Sequence, residues 1–281
     1  MSDEKKTFFA SLEPKSALLV GLVAGALVIG TVGFIVMLVV YLGGRSTKAD
    51  TSDAATNNQP QQPATEQQTL TPSVTKSDKP VVELFIMSYC PYGLQMQKAY
   101  SPVMKLLGGK ADISVKFVAY AMHGQKELEE NTRQYCIANE QKDKYLAYVD
   151  CFTTSGDYQA CMGSTGVSES KLNTCVDKTN KSFGTMDKFK DQSTWLSGQY
   201  PVYPVHQSLN DKYGVQGSPT LVVNGAQVEA GRSPEAIKQV VCASFNNPPS
   251  ECSQTLSSAQ ASPGFGAGTT SGNTAAAECG S

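Results

Sequence analysis

The chain has 281 residues, 40% of them hydrophobic and 17% charged, with a formal net charge of −2. That is enough apolar material for one domain of ordinary size, and nothing in the charge is basic or patterned enough for a nucleic-acid binder. Internal repeats, phosphate-binding glycine motifs and paired zinc knuckles are absent from the sequence.

The first sixteen residues are polar and include Lys5, Lys6 and Lys15. Ala17 to Leu42 then runs without a charge. It is long enough to cross a hydrocarbon core of about 30 Å with some tilt, and too long for the apolar core of a signal peptide. A transmembrane helix is therefore expected over 17–42. The lysines before it favour a cytoplasmic segment 1–16 and an extracytoplasmic remainder, periplasmic or extracellular, although Arg45 and Lys48 follow closely. Gly21 and Gly25 form a GxxxG, which packs helices together in some spans and is merely common in others. Residues 43–78, rich in Thr, Gln, Asn, Pro, Ala and Ser, read as a disordered linker that cannot bury enough surface to offset chain entropy.

The folded part is expected over 79–253. Val81 to Met87 is a short, nearly continuous apolar run, as in a strand covered on both faces. Cys90 follows it, and Pro91 opens a helix at a position where its missing N–H costs nothing. Tyr92, Met96, Ala99, Val103 and Leu106 share one face of that helix, and Gly108-Gly109 ends it. Cys90 thus stands at a helix N-terminus, where the dipole favours its thiolate, or else is a packing cysteine at a strand end. Asp112 to Tyr120 alternates as a second strand, which completes a βαβ unit.

From about 121 to 213 the pattern is mainly helical. Gln125 to Val149 reads as one long helix with Cys136 and Cys151 about four turns apart on one face. Ser168 can cap a further helix that carries Leu172, Cys175 and Val176. The spacing of Cys151 and Cys161 suits a local bridge and leaves Cys136 for Cys175, one of three possible pairings. Two histidines and the lack of close cysteine pairs favour disulfides over a metal cluster. Residues 183–213 hold Trp195 and the run Gln199 to His206, whose prolines exclude a long helix; it packs over the core or forms a peptide-binding wall. Thr220 to Val223 and Gln227 to Glu229 flank Asn224-Gly225 as a hairpin, with Pro219 just before the first strand. Ser233-Pro234 starts a last helix, and Cys242 and Cys252 flank an Asn-Asn-Pro-Pro loop that they pin. Residues 254–281 are small and low in complexity, read as disordered, and end near Cys279.

In this order the elements resemble an α/β thioredoxin-like fold (βαβ, helical insertion, ββα) of the DsbA type. Two stretches carry the resemblance: strand–Ser88-Tyr89-Cys90-Pro91-Tyr92-Gly93–helix, and Gly214-Val215-Gln216-Gly217-Ser218-Pro219-Thr220-Leu221-Val222-Val223-Asn224-Gly225. The cysteine-bearing insert and the closing Cys242–Cys252 pair are also similar to lysosomal thiol reductases and to the thioredoxin-like part of plant vacuolar sorting receptors. The resemblance covers about Lys79 to Cys252. It implies thiol–disulfide oxidoreductase chemistry, with Cys90 as nucleophile beside Pro91, Tyr92 lining it, and Ser218 with a cis Pro219 holding a substrate strand. Cysteine-containing proteins would be the substrates, and no cofactor or metal is implied.

The departure is Gly93, which stands where the family has the second cysteine of C-x-x-C. A lone thiolate forms mixed disulfides, but another thiol must resolve them. If Cys136, Cys175, Cys151, Cys161, Cys242 and Cys252 pair among themselves, Cys279 remains with Cys90 as a possible resolving thiol, or as an unpaired or intermolecular cysteine. His123 opens the insert, either as a stabiliser of the Cys90 thiolate or as a helix cap, while His206 reads as structural. Three functions are therefore weighed. The first is a membrane-anchored exchange protein with an external resolving partner; the second is a module of the same fold that binds extended polypeptides without turnover. The third is a copper site made of Met87, Cys90, Met96, Met122 and His123, against which helical spacing turns Met96 to the core.

Overall fold

In the computed structural model, which describes residues 74–270 and 279, the apolar run after Pro80 is the central strand β1 (Val81–Ile86). Its last five residues are buried, because packed layers cover both faces of the sheet at this strand. β2 (Asp112–Phe117) is parallel to it, with Val115 opposite Leu84. β3 (Thr220–Val223) is antiparallel, with Leu221 opposite Leu84, and β4 (Ala226–Val228) completes the order β2-β1-β3-β4. Asn224 and Gly225 turn the β3–β4 hairpin with positive φ, 49° and 84°, as a two-residue turn matched to strand twist requires.

α1 (Pro91–Leu107) joins β1 to β2. The insert follows as α2 (Gln125–Glu140), α3 (Lys142–Ser155), α4 (Tyr158–Thr165), α5 (Glu169–Phe183), α6 (Thr185–Lys190) and, after the proline-rich loop, α7 (Gln207–Tyr213). α8 (Pro234–Ala243) starts at Ser233, whose hydroxyl accepts the Ala236 N–H at 3.2 Å. Val82, Leu84 and Ile86 face Met96, Tyr100 and Val103 of α1 and Ile237 and Val241 of α8. The alternate residues Phe85, Met87 and Val222 face the other way and, with Val118 and Val215, form the apolar layer that holds Cys90.

The single helix read from Gln125 to Val149 is two. Gln141 leaves helical geometry at φ −143°, and its side-chain amide binds the backbone of Ser168, accepting its N–H at 2.7 Å and donating to its carbonyl at 3.1 Å. Cys136 and Cys151 therefore lie on different helices rather than on one face. They are bridged to Cys175 and Cys161, with Cα separations of 5.7 and 5.6 Å. Both bridges sit among Leu94, Ile137, Tyr148, Phe152 and Leu172, so the insert has an apolar core of its own that the disulfides complete.

The proline-rich loop packs inward. Tyr203 is fully buried, and the His206 ring accepts the Phe117 N–H at Nδ1, 3.1 Å away. Burial, with Lys116 nearby, pushes the His206 pKa down to about 3, so the ring is neutral and serves as an acceptor in the core.

At both ends the domain is longer than 79–253. Ser77 exchanges backbone hydrogen bonds with Ser244 and Asn246, at 2.9 Å each, and the Thr75 carbonyl accepts from Asn224 at 2.6 Å. Beyond the Cys242–Cys252 bridge the chain continues over the surface as a small hairpin, β5 (Gln260–Ala261) and β6 (Thr269–Thr270). Its composition reads as disordered, but the Phe265 ring, though 40% exposed, packs against Tyr89 and Phe152 at centroid distances of 5.7 and 5.4 Å. One aromatic anchor outweighs the low-complexity background around it. The segment 1–16, the span expected at 17–42 and residues 43–73 of the linker lie outside the described residues. Among the described residues no helix is long and apolar enough to cross a membrane.

Candidate active site

Cys90 is the residue before α1, with extended backbone (φ −64°, ψ 124°), and Pro91 takes the first helical position. Its sulfur accepts the Gly93 N–H at 3.4 Å. The Gly93 amide and the positive end of the helix thus converge on this sulfur. The side chain is fully buried.

The turn that presents Cys90 is held from outside itself. The Met87 N–H donates to Ser218 Oγ (2.8 Å), Ser88 N–H to Asn131 Oδ1 (3.1 Å), and Tyr89 N–H to Glu127 Oε1 (2.9 Å). Cys90 N–H closes the turn onto the Met87 carbonyl at 3.0 Å. Glu127 also accepts from the backbone of Met122 (2.8 Å) and His123 (3.1 Å) at Oε2, and its Oε1 meets the His123 ring at 2.9 Å. One buried carboxylate therefore joins the turn after β1 to the turn after β2. His123 faces Glu127 and makes no hydrogen bond to Cys90 among the described residues.

Glu127 and Asn131 are the site residues that sequence reading missed. With Glu130 and Gln134 they form a polar stripe along α2 that is fully buried. On a helical wheel such a stripe reads as the solvent face. The one available signal was its proximity to the histidine-bearing turn at 123.

Opposite Cys90, the Ser218-Pro219 peptide bond is cis, and the Ser218 carbonyl oxygen lies 3.4 Å from the Cys90 sulfur. Cys279 occupies the gap. Its sulfur is bonded to Cys90, with a Cα separation of 6.1 Å. Its backbone pairs with Ser218 in both directions: Ser218 N–H to the Cys279 carbonyl at 3.0 Å, and Cys279 N–H to the Ser218 carbonyl at 2.8 Å. Tyr92 packs on the same apolar layer, with the Arg232 guanidinium 5.0 Å over its ring. Cys90, Pro91, Tyr92, Ser218, Pro219 and Cys279 thus come together. Cys136–Cys175, Cys151–Cys161 and Cys242–Cys252 form bridges elsewhere in the domain.

The same packing accounts for Gly93. A Cβ built there would stand 2.6 Å from Ser218 Oγ and 2.8 Å from the Met87 carbonyl oxygen. The position that carries the second sulfur in a C-x-x-C motif is closed here by backbone and by a hydroxyl already bonded to Met87. Gly93→Cys is therefore expected to destabilise the domain by about 1–3 kcal/mol, as overpacking does, without giving Cys90 a neighbouring redox partner on α1. Urea unfolding and a thiol map of the variant check this; a stable domain in which Cys90 is bridged to the introduced sulfur would show the argument to be wrong.

The copper set does not form one cluster. Met96 packs in the core between sheet and α1, whereas Met87, Cys90 and Met122 belong to the opposite layer. Among the described residues no group of three or more His, Cys, Asp or Glu side chains converges on a cation site.

No protein-family model and no curated protein sequence matches the chain. Solved structures are similar in outline. The reduced form of the disulfide bond oxidoreductase DsbG from Mycobacterium tuberculosis is 14% identical, aligned over 63% of this chain and 88% of that one, with a TM-score of 0.43. Oxidised DsbA from the same organism is 14% identical over 63% and 94%, also at 0.43. Oxidised BdbD from Bacillus subtilis is 18% identical over 60% and 89%, at 0.38.

Proposed function

We propose that this DsbA-like thioredoxin-fold domain is a thiol–disulfide exchange protein whose redox couple is Cys90 with Cys279. The observation that carries the reading is the position of Cys279, which bridges Cys90 while its backbone pairs with Ser218. An extended cysteine-containing chain would take the same edge by strand addition. The tail is thus bound as a substrate would be, and it supplies the sulfur that Gly93 does not.

The exchange balances without a cofactor. With both thiols reduced, the Cys90 thiolate attacks a client disulfide, bonds to one client sulfur and expels the other as thiolate. The Cys279 thiolate then attacks the Cys90 sulfur and expels the client's remaining sulfur. The client gains two electrons and becomes a dithiol, while the protein loses two and becomes the Cys90–Cys279 disulfide. Run backwards, the same steps oxidise a client dithiol. The expected span at 17–42 would hold the domain on the outer side of a membrane, where cysteine-rich clients and three structural bridges are at home.

Two measurements test the proposal. Non-reducing peptide mapping of the purified chain is expected to find Cys90 linked to Cys279. Exchange with a disulfide-containing peptide is expected to vanish in Cys90→Ser. A map that links Cys90 elsewhere, or exchange that survives the substitution, would leave only a polypeptide-binding module.

A further inference from the structure

The second thiol lies 189 residues from the first in sequence, yet it stands in bonding contact with it. Residues 254–270, the stretch just before Cys279, are fastened to the domain at successive points. The Lys238 ammonium binds the Gln254 carbonyl, and the Glu235 carboxylate accepts the Leu256 N–H at 2.7 Å. Gln95 on α1 donates to the Ala261 carbonyl at 2.7 Å. One helical turn on, the Lys98 ammonium donates to three carbonyls of the hairpin: Ser262 (2.7 Å), Gly264 (2.8 Å) and Gly266 (3.0 Å). The Gly264 N–H reaches the Pro91 carbonyl at 2.8 Å, and the Gly266 N–H reaches that of Thr153 at 3.2 Å. Phe265, between them, packs edge-on against Tyr89, next to Cys90, and against Phe152 of the insert, two rings that also touch each other.

All three of Lys98's donors are used on one short loop, and that loop touches the residues on both sides of Cys90. Burial lowers the Lys98 pKa, as expected of an ammonium whose water has been replaced by carbonyl oxygens. A surface cover for apolar side chains would not need a fully committed cation, nor a path that ends beside the reactive sulfur.

Resting on the Cys90–Cys279 exchange proposed above, we infer that residues 254–270 form a built-in anchor for the resolving thiol, with Lys98 and Phe265 as its positioning residues. When the disulfide opens, the hairpin stays docked and Cys279 remains nine residues along the chain from its end. If the hairpin releases while the Glu235 bond to Leu256 holds, the free chain begins near Ser257 and is nearly three times as long. Effective concentration falls as about the −3/2 power of tether length, which gives a loss of about fivefold. A client chain then competes with Cys279 for the Ser218 edge on terms that the anchor sets.

The test is an equilibrium with glutathione. The full chain is poised in mixtures of reduced and oxidised glutathione, free thiols are trapped with an alkylating reagent, and the Cys90–Cys279 fraction is read by peptide mass. Lys98→Met with Phe265→Ala is expected to lower the effective concentration of Cys279 toward Cys90 by up to about fivefold. Lys98→Arg alone, which keeps the donors, is expected to stay close to the unmodified chain. Urea unfolding of the reduced proteins separates this from general damage. An effective concentration equal to that of the unmodified chain in the double variant would overturn the anchor and leave the redox couple standing. If Cys90 and Cys279 are not linked at any poise, the couple itself fails and the anchor falls with it.

Discussion

Replacing Cys279 with serine is expected to leave the first attack by Cys90 intact and to slow client release by about a thousandfold at micromolar external thiol. The figure follows from tethering. A thiol held on a short linker acts at an effective concentration of about millimolar, whereas a free partner acts at its own concentration. Resolution must come from some thiol, because Gly93 offers none and a side chain there has no room. The variant should therefore accumulate a Cys90–client mixed disulfide on a disulfide-containing peptide, visible as a stable mass adduct. Millimolar added thiol should clear it. Cys90→Ser should form no adduct, and the double variant should behave like Cys90→Ser. If Cys279→Ser releases its client as fast as the unmodified chain with no added thiol, then Cys279 is not the resolving group.

The sequence made the frame legible because its signals are local. The apolar run of β1, Cys90-Pro91 at a helix start, Asn224-Gly225 between short strands and Ser233-Pro234 before α8 each specify their own backbone. Cysteine spacing pointed to two of the structural bridges for a similar reason, since each closes a loop only ten residues apart in sequence, and Cys136–Cys175 was what they left over. What stayed hidden depends on distant partners. Gln141 breaks a helix through a bond to Ser168, which no helical periodicity can show. The tail reads as featureless because its order comes from Lys98, Glu235, Lys238 and the Tyr89–Phe152 ring pair rather than from its own residues. Cys279 could be counted as a leftover sulfur, but only the Ser218 edge shows how its backbone is received.

Glu127→Ala is the substitution expected to cost the fold most among single changes near the site, about 3–5 kcal/mol. The carboxylate is fully buried and receives the N–H groups of Tyr89, Met122 and His123 as well as the His123 ring. Alanine leaves three half-buried backbone donors without their partner, and each such orphan costs about 1–3 kcal/mol. Glu127→Gln is the sharper variant, because it preserves volume. Its amide has one acceptor oxygen and turns an N–H₂ toward donors, so it should keep only part of the network and lose roughly half as much stability as alanine does. The loss is also local. Tyr89 precedes Cys90, so hydrogen exchange at the amides of Tyr89, Met122 and His123 should accelerate in both variants more than exchange in β1. Cys90 alkylation in the reduced protein should change with it, because the turn that aims the sulfur at Ser218 is then tied to α2 only through Asn131. Unfolding midpoints in urea that match the unmodified chain, together with unchanged exchange at these three amides, would mean that the carboxylate is a passenger and that the turn is held by Ser218 and Asn131 alone.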